Sequence, residues 1–155
     1  MNRQNVVAVI VACAAIGLTA ASPSVGFAGQ TAPGTVNVPT GEVGLGSVEL
    51  PRRVMADGQA LASGTYDLRV TADSANPDAP GQLAVLERWV EFRQGDEVKG
   101  REVVSIVPES EIDSIAKSAP PGNGTARVEM LKDNEYLRVW VNQNNIHYFI
   151  HLVVG

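Results

Sequence analysis

The stretch from 126 to 154, ARVEMLKDNEYLRVWVNQNNIHYFIHLVV, constrains the fold of this chain more than any other. Apolar and polar side chains alternate through it with a period of two, which is typical of strands that bury one face. The dipeptides Asp133-Asn134 and Asn144-Asn145 interrupt the alternation, and tight hairpin turns favour Asn and Asp. The sequence therefore predicts three consecutive antiparallel strands joined by two short turns.

Two-residue turns at these positions also determine which residues of the three strands lie opposite each other. One face of the predicted sheet is apolar throughout and is expected to face the core; it carries Val128, Met130, Leu137, Val139, Val141, Tyr148, Ile150 and Leu152. On the other face, the predicted cross-strand rows are Glu129 with Arg138 and His151, Arg127 with Trp140 and Phe149, Leu131 with Tyr136, and Asn142 with His147. Opposite charges and a cation beside an indole ring make these pairings favourable.

This second face is the candidate binding surface of the sequence. Its candidate ligand-binding residues are Arg127, Tyr136, Arg138, Trp140, Asn142, His147, Phe149 and His151. Aromatic rings offer flat apolar area and the polar side chains offer hydrogen bonds, which suits a glycan, another ligand or the edge of a partner protein. The alternative is that these residues are cross-strand pairs on a face that a helix or the N-terminal arm covers.

The two histidines, His147 and His151, are not expected to share a metal ion. Four residues along a strand span about 13 Å, whereas the ligands of a zinc ion each lie about 2 Å from the metal. No metal site and no cofactor are therefore predicted. The sequence also has no nucleophile-elbow motif, so no catalytic residue is assigned and a hydrolase is the least favoured function.

Residues 1–28 have the pattern of a secretory signal peptide. Arg3 precedes an uncharged run rich in Ala and Val, and the small residues Gly26 and Ala28 suit cleavage directly after them. A retained membrane anchor would need ~20 consecutive apolar residues, and this run is shorter. The other alternative is a lipoprotein acylated at Cys13. This is disfavoured because the apolar run continues past the cysteine. We therefore expect a periplasmic or secreted protein with no membrane span after cleavage.

The region from 29 to 46 is rich in Gly, Pro and Thr and is predicted to be a flexible N-terminal arm, followed by a β domain over 47–155. Short β-prone runs in the arm contain Val36, Val38, Val43 and Leu45. They support an alternative function, a structural or self-assembling envelope component in which the arm adds a strand to a neighbour's sheet edge. The sequence leaves the oligomeric state open.

The first half of the β domain shows further turn and strand signals. Turns are indicated where Gly lies beside a polar residue between extended runs, at Asp57-Gly58 and Gln94-Gly95-Asp96. Alternation between the turns predicts a strand with one buried face, formed by Tyr66, Leu68 and Val70. A bulge is predicted at Gly100.

One short helix, over about 109–117, is predicted where the β pattern lapses. Two glutamates near its start suit the helix dipole, and Ile112, Ile115 and Ala116 form one apolar stripe. Together with the strand signals, this predicts a mostly β chain that folds as an antiparallel sandwich or a half-open barrel of about seven or eight strands.

The segment ADGQALASGTYDLRV, residues 56–70, resembles a strand–turn–strand motif of small exported bacterial β-sandwich proteins of unknown activity. In that motif the tyrosine points into the core. The resemblance therefore implies a buried Tyr66, a β-sandwich fold and an exported protein, and it implies no particular activity.

The charge of the chain narrows the range of partners. The formal net charge is −5 at pH 7 and the basic residues form no cluster, so nucleic acid and anionic membrane surfaces are disfavoured as partners. The sequence is most consistent with an exported, non-catalytic β domain that binds a ligand, glycan or partner protein through the face of Tyr136, Trp140 and Phe149.

Overall fold

The structure is a computed structural model that describes residues 37–75 and 86–155. The predicted signal peptide over 1–28 and the first part of the predicted arm, 29–36, lie outside the described residues. The described elements are β1 (Val43–Leu50), β2 (Val54–Ala56), β3 (Gln59–Leu61), β4 (Gly64–Ser74), β5 (Glu87–Gln94), β6 (Glu97–Pro108), α1 (Glu109–Ile115), β7 (Thr125–Leu131), β8 (Tyr136–Gln143) and β9 (Ile146–Val154). The domain is mostly β with one short helix, as predicted.

The strands form an antiparallel, nearly closed barrel. Seven of them follow one another in the order β1-β4-β5-β6-β9-β8-β7, and the hairpin of β2 and β3 joins the edge of β9 beyond the end of β6. The outer strands β1 and β7 come close to each other. The half-open barrel is therefore the predicted form that the chain adopts. The described part contains nine strands because the hairpin adds two strands of three residues each.

The register predicted for the last three strands is confirmed. Glu129 lies opposite Arg138, Arg138 lies opposite His151, and the other predicted rows also form. Val128 and Met130 of the predicted core face are partly buried, and its other members are buried. Both dipeptides at the centres of the turns have positive φ angles, between 53° and 72°, which Asn and Asp tolerate better than most residues.

The strand that contains Tyr66 is also built as predicted. Tyr66, Leu68 and Val70 are buried. The Tyr66 ring meets Phe92 edge to face, with ring centroids 6.1 Å apart and planes at 80°. Its hydroxyl donates to the backbone carbonyl of Ala62 at 2.9 Å, so the polar end of the buried ring has a partner.

The hairpin of β2 and β3 covers one end of the barrel interior. Its Leu61 is buried in the barrel core, and a Cβ atom at Gly100 would lie 3.0 Å from Leu61 Cδ2. This close approach favours a glycine at that position. The register shifts between the Phe92–Gly100 pair and the Arg93–Val98 pair, which confirms the predicted bulge.

Arg88 occupies the barrel interior near the other end and is only 2% exposed. Its Nε donates to the carbonyl of Thr71 at 2.6 Å, its Nη1 to the carbonyl of Pro39 at 2.5 Å, and its Nη2 to the carbonyl of Gly41. Burial lowers the pKa of this guanidinium, and nearby Tyr148 acts in the opposite direction. Arg88 thus ties the segment before β1 to the barrel.

Residues 37–46, predicted as the end of a flexible arm, belong to the folded domain. Val38 and Leu45 are buried in the barrel core, and Val43 pairs with Val70 of β4. The apolar side chains and the hydrogen bonds from Arg88 hold this segment in place, so the predicted domain start at 47 is too late. These contacts also engage three of the four residues on which the strand-addition alternative relied.

Candidate ligand-binding groove

Helix α1 covers part of the outer sheet face that the sequence identifies as a binding surface. The backbone N–H of Glu109 donates to the carbonyl of Asn145, in the turn between β8 and β9, at 3.1 Å. Ile112 is buried in a cluster that includes Trp140 and Phe149. The backbone bond and the apolar contact together place the helix over the middle of β8 and β9.

The predicted apolar stripe of the helix is only partly buried. Ile112 is buried and Ala116 packs against its cluster, whereas Ile115 is 54% exposed. The helix ends at Ile115 and not at 117. Ile115 lies at the margin of the contact between helix and sheet, where it borders an open groove.

Trp140 and His147 are fully buried beneath the helix. Trp140 Nε1 donates to His147 Nδ1 at 3.0 Å, and His147 Nε2 lies 2.5 Å from Glu109 Oε2. Because an indole N–H can only donate, Nδ1 must be the acceptor, so a neutral imidazole carries its proton on Nε2 and donates to the carboxylate. This chain of hydrogen bonds connects β8 and β9 to the start of α1.

The segment after the helix continues the cover. Asn142 Nδ2 donates to the carbonyl of Pro121 at 2.9 Å, and Arg127 Nη2 donates to Ser118 Oγ at 3.2 Å. The Arg127 guanidinium lies 4.8 Å from the centre of the Trp140 ring, a cation–π arrangement that encloses the ring further.

The structure therefore divides the predicted binding surface into two halves. The prediction of an open surface is wrong for Arg127, Trp140, Asn142 and His147, because α1 and the segment after it cover or engage them. For this half, the alternative of a face covered by the predicted helix holds. Of the other four predicted residues, Tyr136, Arg138 and His151 border an open groove. Phe149 is only 6% exposed and packs in the cluster under α1, and it reaches the edge of the groove.

The groove consists of two adjoining cavities, of about 370 and about 350 Å³, which meet at His151. The first cavity, beside the turn between β7 and β8, is lined by Leu131, Lys132, Tyr136 and His151. The second, beside the end of α1, is lined by Ser105, Val107, Ile115, Ala116, Arg138, Phe149 and His151. Each volume lies within the range of about 300–1,000 Å³ that small-molecule sites occupy.

Positive charge dominates the polar part of the groove. Arg138 Nε donates to Glu129 Oε2 at 2.9 Å, and Arg127 Nε lies 2.7 Å from Glu129 Oε1. Two guanidinium groups thus share one carboxylate. The Lys132 ammonium, at the far side of the first cavity, lies 5.1 Å from the centre of the Tyr136 ring.

His151 lies between the two cavities and is uncharged near neutral pH. Removal from water inside the groove lowers the pKa of its imidazole below the ordinary value of 6.5, although one side of the residue stays open to solvent. The positive charge of Arg138 lowers that pKa further, and Glu102 acts in the opposite direction. A neutral imidazole offers a ligand one donor and one acceptor.

A further cavity, of about 320 Å³, lies beside the β2–β3 hairpin and is lined by Ala56, Asp57, Gln59, Val98, Gly100 and Arg101. Arg101 Nε donates to Asp57 Oδ2 at 3.2 Å, and its guanidinium lies 4.2 Å from the Trp89 ring. The two charged side chains of this cavity therefore already bond to each other, and none of the described residues that line it is aromatic.

The groove is also lined by residues that do not belong to the predicted set of ligand-binding residues. Leu131 belongs to the predicted second face and Ile115 to the predicted apolar stripe of the helix. Neither pattern by itself indicates that the residue lines a binding site. Ser105 and Val107 line the groove because β6 lies beside β9. No local pattern predicts that β6 and β9 are neighbours, because the two strands are distant in the chain.

Comparison with known proteins finds no match for this chain among family models, curated proteins or solved structures. In the described ranges, 37–75 and 86–155, no helix is long and apolar enough to cross a bilayer. The same ranges contain no group of three or more His, Cys, Asp or Glu side chains placed to hold a metal ion.

Proposed function

We propose that this protein is an exported, non-catalytic β-barrel domain that binds a small amphipathic molecule in the groove beside α1. The observation that carries the proposal is the groove itself, two cavities of about 370 and about 350 Å³ that meet at His151. A concave, mostly apolar site with a few convergent polar groups is the usual form of a small-molecule site.

The side chains of the groove indicate the chemistry of the ligand. Leu131 and Tyr136 supply apolar and aromatic walls on one side of His151, and Ile115 and Phe149 supply them on the other. The polar groups are few. A ligand with an apolar body and one polar group would fit both parts of this lining.

A small molecule fits the groove better than a glycan or a partner protein. A sugar ring stacks on an open aromatic face, and the largest ring of the predicted surface, Trp140, is fully buried. Tyr136 remains, with the Lys132 ammonium beside its ring. Residues 43–46 of the predicted arm pair with β4 of their own domain, so assembly through these residues is not proposed.

Filling the groove should remove ligand binding. His151→Trp places an indole where the two cavities meet, and we expect it to weaken binding of a small amphipathic probe, 4-phenylbutyrate, by at least about tenfold. His151 is exposed, so the variant should fold. Isothermal titration calorimetry of the purified protein measures the change.

The matched control for this experiment is Val98→Trp. Val98 is 44% exposed and lines the hairpin cavity, so the same indole there should leave the affinity unchanged. Loss of binding in Val98→Trp with retention in His151→Trp would place the site at the hairpin and contradict the proposal. Retention in both variants would also contradict it.

A further inference from the structure

We propose that the polar group of the ligand is a carboxylate, held at the centre of the groove by Arg138, and that the Lys132 ammonium at the far side of the first cavity adds to the attraction. This inference rests on the proposed function and names the class of ligand that the groove takes. It follows from the charges, the free donors and the apolar walls of the groove.

The charges around Arg138 favour an anionic ligand. Arg127 and Arg138 both pair with Glu129, so one of the two positive charges has no equivalent negative charge in this cluster. No carboxylate of the described residues pairs with Lys132. The two charged side chains that line the groove, Arg138 and Lys132, are thus both positive on a chain whose formal net charge is −5, and such a lining attracts anions.

Unused hydrogen-bond donors lie at the point where the two cavities meet. The bonds from Arg138 to Glu129 use Nε and Nη2, which leaves the two N–H groups of Nη1 without a partner among the described residues. Neutral His151, the cross-strand neighbour of Arg138, adds one further donor. A planar guanidinium with free N–H groups matches the geometry of a carboxylate.

Glu102, the carboxylate whose charge raises the pKa of His151, is already bonded elsewhere. Glu102 accepts from the backbone N–H of Asp57 at 2.8 Å and from that of Val103 at 2.9 Å. Its carboxylate is therefore turned toward the hairpin and already bonded there. It leaves the Arg138 side of the groove available to an anion.

The apolar walls of the groove indicate the chemistry of the rest of the ligand. Tyr136 and Leu131 lie on one side of the donors, and Phe149 and Ile115 lie on the other. A carboxylate bound between them would place an aryl or alkyl body against one of these walls, which removes apolar surface from water. The ligand class is therefore an aryl or alkyl carboxylate.

Three probes with the same phenylbutyl body test the charge preference: 4-phenylbutyrate, the neutral 4-phenylbutyramide and the cationic 4-phenylbutylamine. We expect the purified protein to bind the carboxylate about tenfold more tightly than the amide, and the amine most weakly. Equal affinities for carboxylate and amide would overturn the inference and leave the groove as a binding site. Failure of all three probes to bind would overturn the proposed function as well.

Charge-removing variants separate a specific contact from general attraction. Lys132→Gln should weaken carboxylate binding about threefold to tenfold and leave amide binding unchanged, because only the anion uses the ammonium. Lys132 is exposed, so this variant should keep its fold even if Arg138→Gln does not. The control is Lys99→Gln, since Lys99 pairs with Glu97 at 2.6 Å in a part of β6 that does not line the groove. Equal losses in Lys132→Gln and Lys99→Gln would overturn the assignment.

Discussion

Replacing Trp140 with alanine is expected to lower the free energy of unfolding by about 3–5 kcal/mol, the range for deleting a fully buried large aromatic side chain. The change removes the ring that supports Ile112 of α1, and it removes the donor to His147 Nδ1. Urea denaturation followed by circular dichroism measures the loss without relying on the deleted fluorophore.

Trp89→Ala is the matched control, because Trp89 is the other tryptophan of the chain. It lies half-buried on the outer face of the barrel, with Arg101 4.2 Å from its ring. We expect this variant to lose about 1–2 kcal/mol, because it gives up a cation–π contact and the apolar area of a ring that is only half-buried. Equal losses at the two positions would show that the helix does not enclose Trp140.

Replacing Arg88 with methionine is expected to lower the free energy of unfolding by about 2–4 kcal/mol. Methionine retains most of the buried volume but offers no donor to the carbonyls of Pro39, Gly41 and Thr71. The variant no longer buries a charge, so it avoids that desolvation cost, which offsets part of this loss. Because these bonds hold the segment before β1, amide hydrogens between 37 and 42 should exchange faster in the variant than in the unaltered protein.

The control for this prediction is Arg93→Met, on the same strand. Arg93 pairs with Glu91 at 2.9 Å on the outer face of β5, so its replacement should cost less than about 1 kcal/mol. An Arg88→Met variant as stable as the unaltered protein would contradict this prediction. It would mean that the desolvation cost of the buried guanidinium equals the free energy of its hydrogen bonds.

The last three strands could be predicted in detail because two local signals agree there. Period-two alternation defines the faces of each strand, and the turns at Asp133-Asn134 and Asn144-Asn145 set the register between strands. A slip by one residue would expose Val139 and Ile150, which are fully buried in the structure. The apolar face therefore leaves one register for these strands.

The cover over Trp140 could not be predicted because it depends on tertiary contacts. The apolar residues of α1 show that one side of the helix is buried, but they do not show which surface it meets. That surface is determined by the pairing of β6 with β9, which leads the chain from Pro108 back over β8 and β9. Strand neighbours that are distant in sequence leave no local pattern.

The position of Arg88 did have a signal in the sequence. In the run RWVEF, residues 88–92, alternation places Arg88 on the same side of the strand as Val90 and Phe92. That pattern predicts a charged side chain in the core. The acceptors of Arg88 could not be predicted, because two of them lie in the Gly- and Pro-rich segment that resembles a flexible arm.

Only part of the candidate site could be predicted, because part of it follows from local pattern and part depends on tertiary contacts. The face that carries Tyr136, Arg138 and His151 follows from alternation and register, and these residues line the groove. Which part of that face stays open depends on where α1 ends, and the helix ends at Ile115. The sequence therefore identified the correct sheet face but not the boundary between its covered and open halves.

An NMR titration tests whether the open half of this sheet face is a ligand site. Two-dimensional ¹H–¹⁵N spectra of the protein are recorded with 4-phenylbutyrate added to millimolar concentration, on the order of the weakest affinity of interest. We predict that the largest shift changes fall on the amides of Ile115, Lys132, Tyr136 and His151. Shift changes that centre on Val98 and Arg101, or no changes at all, would contradict the claim.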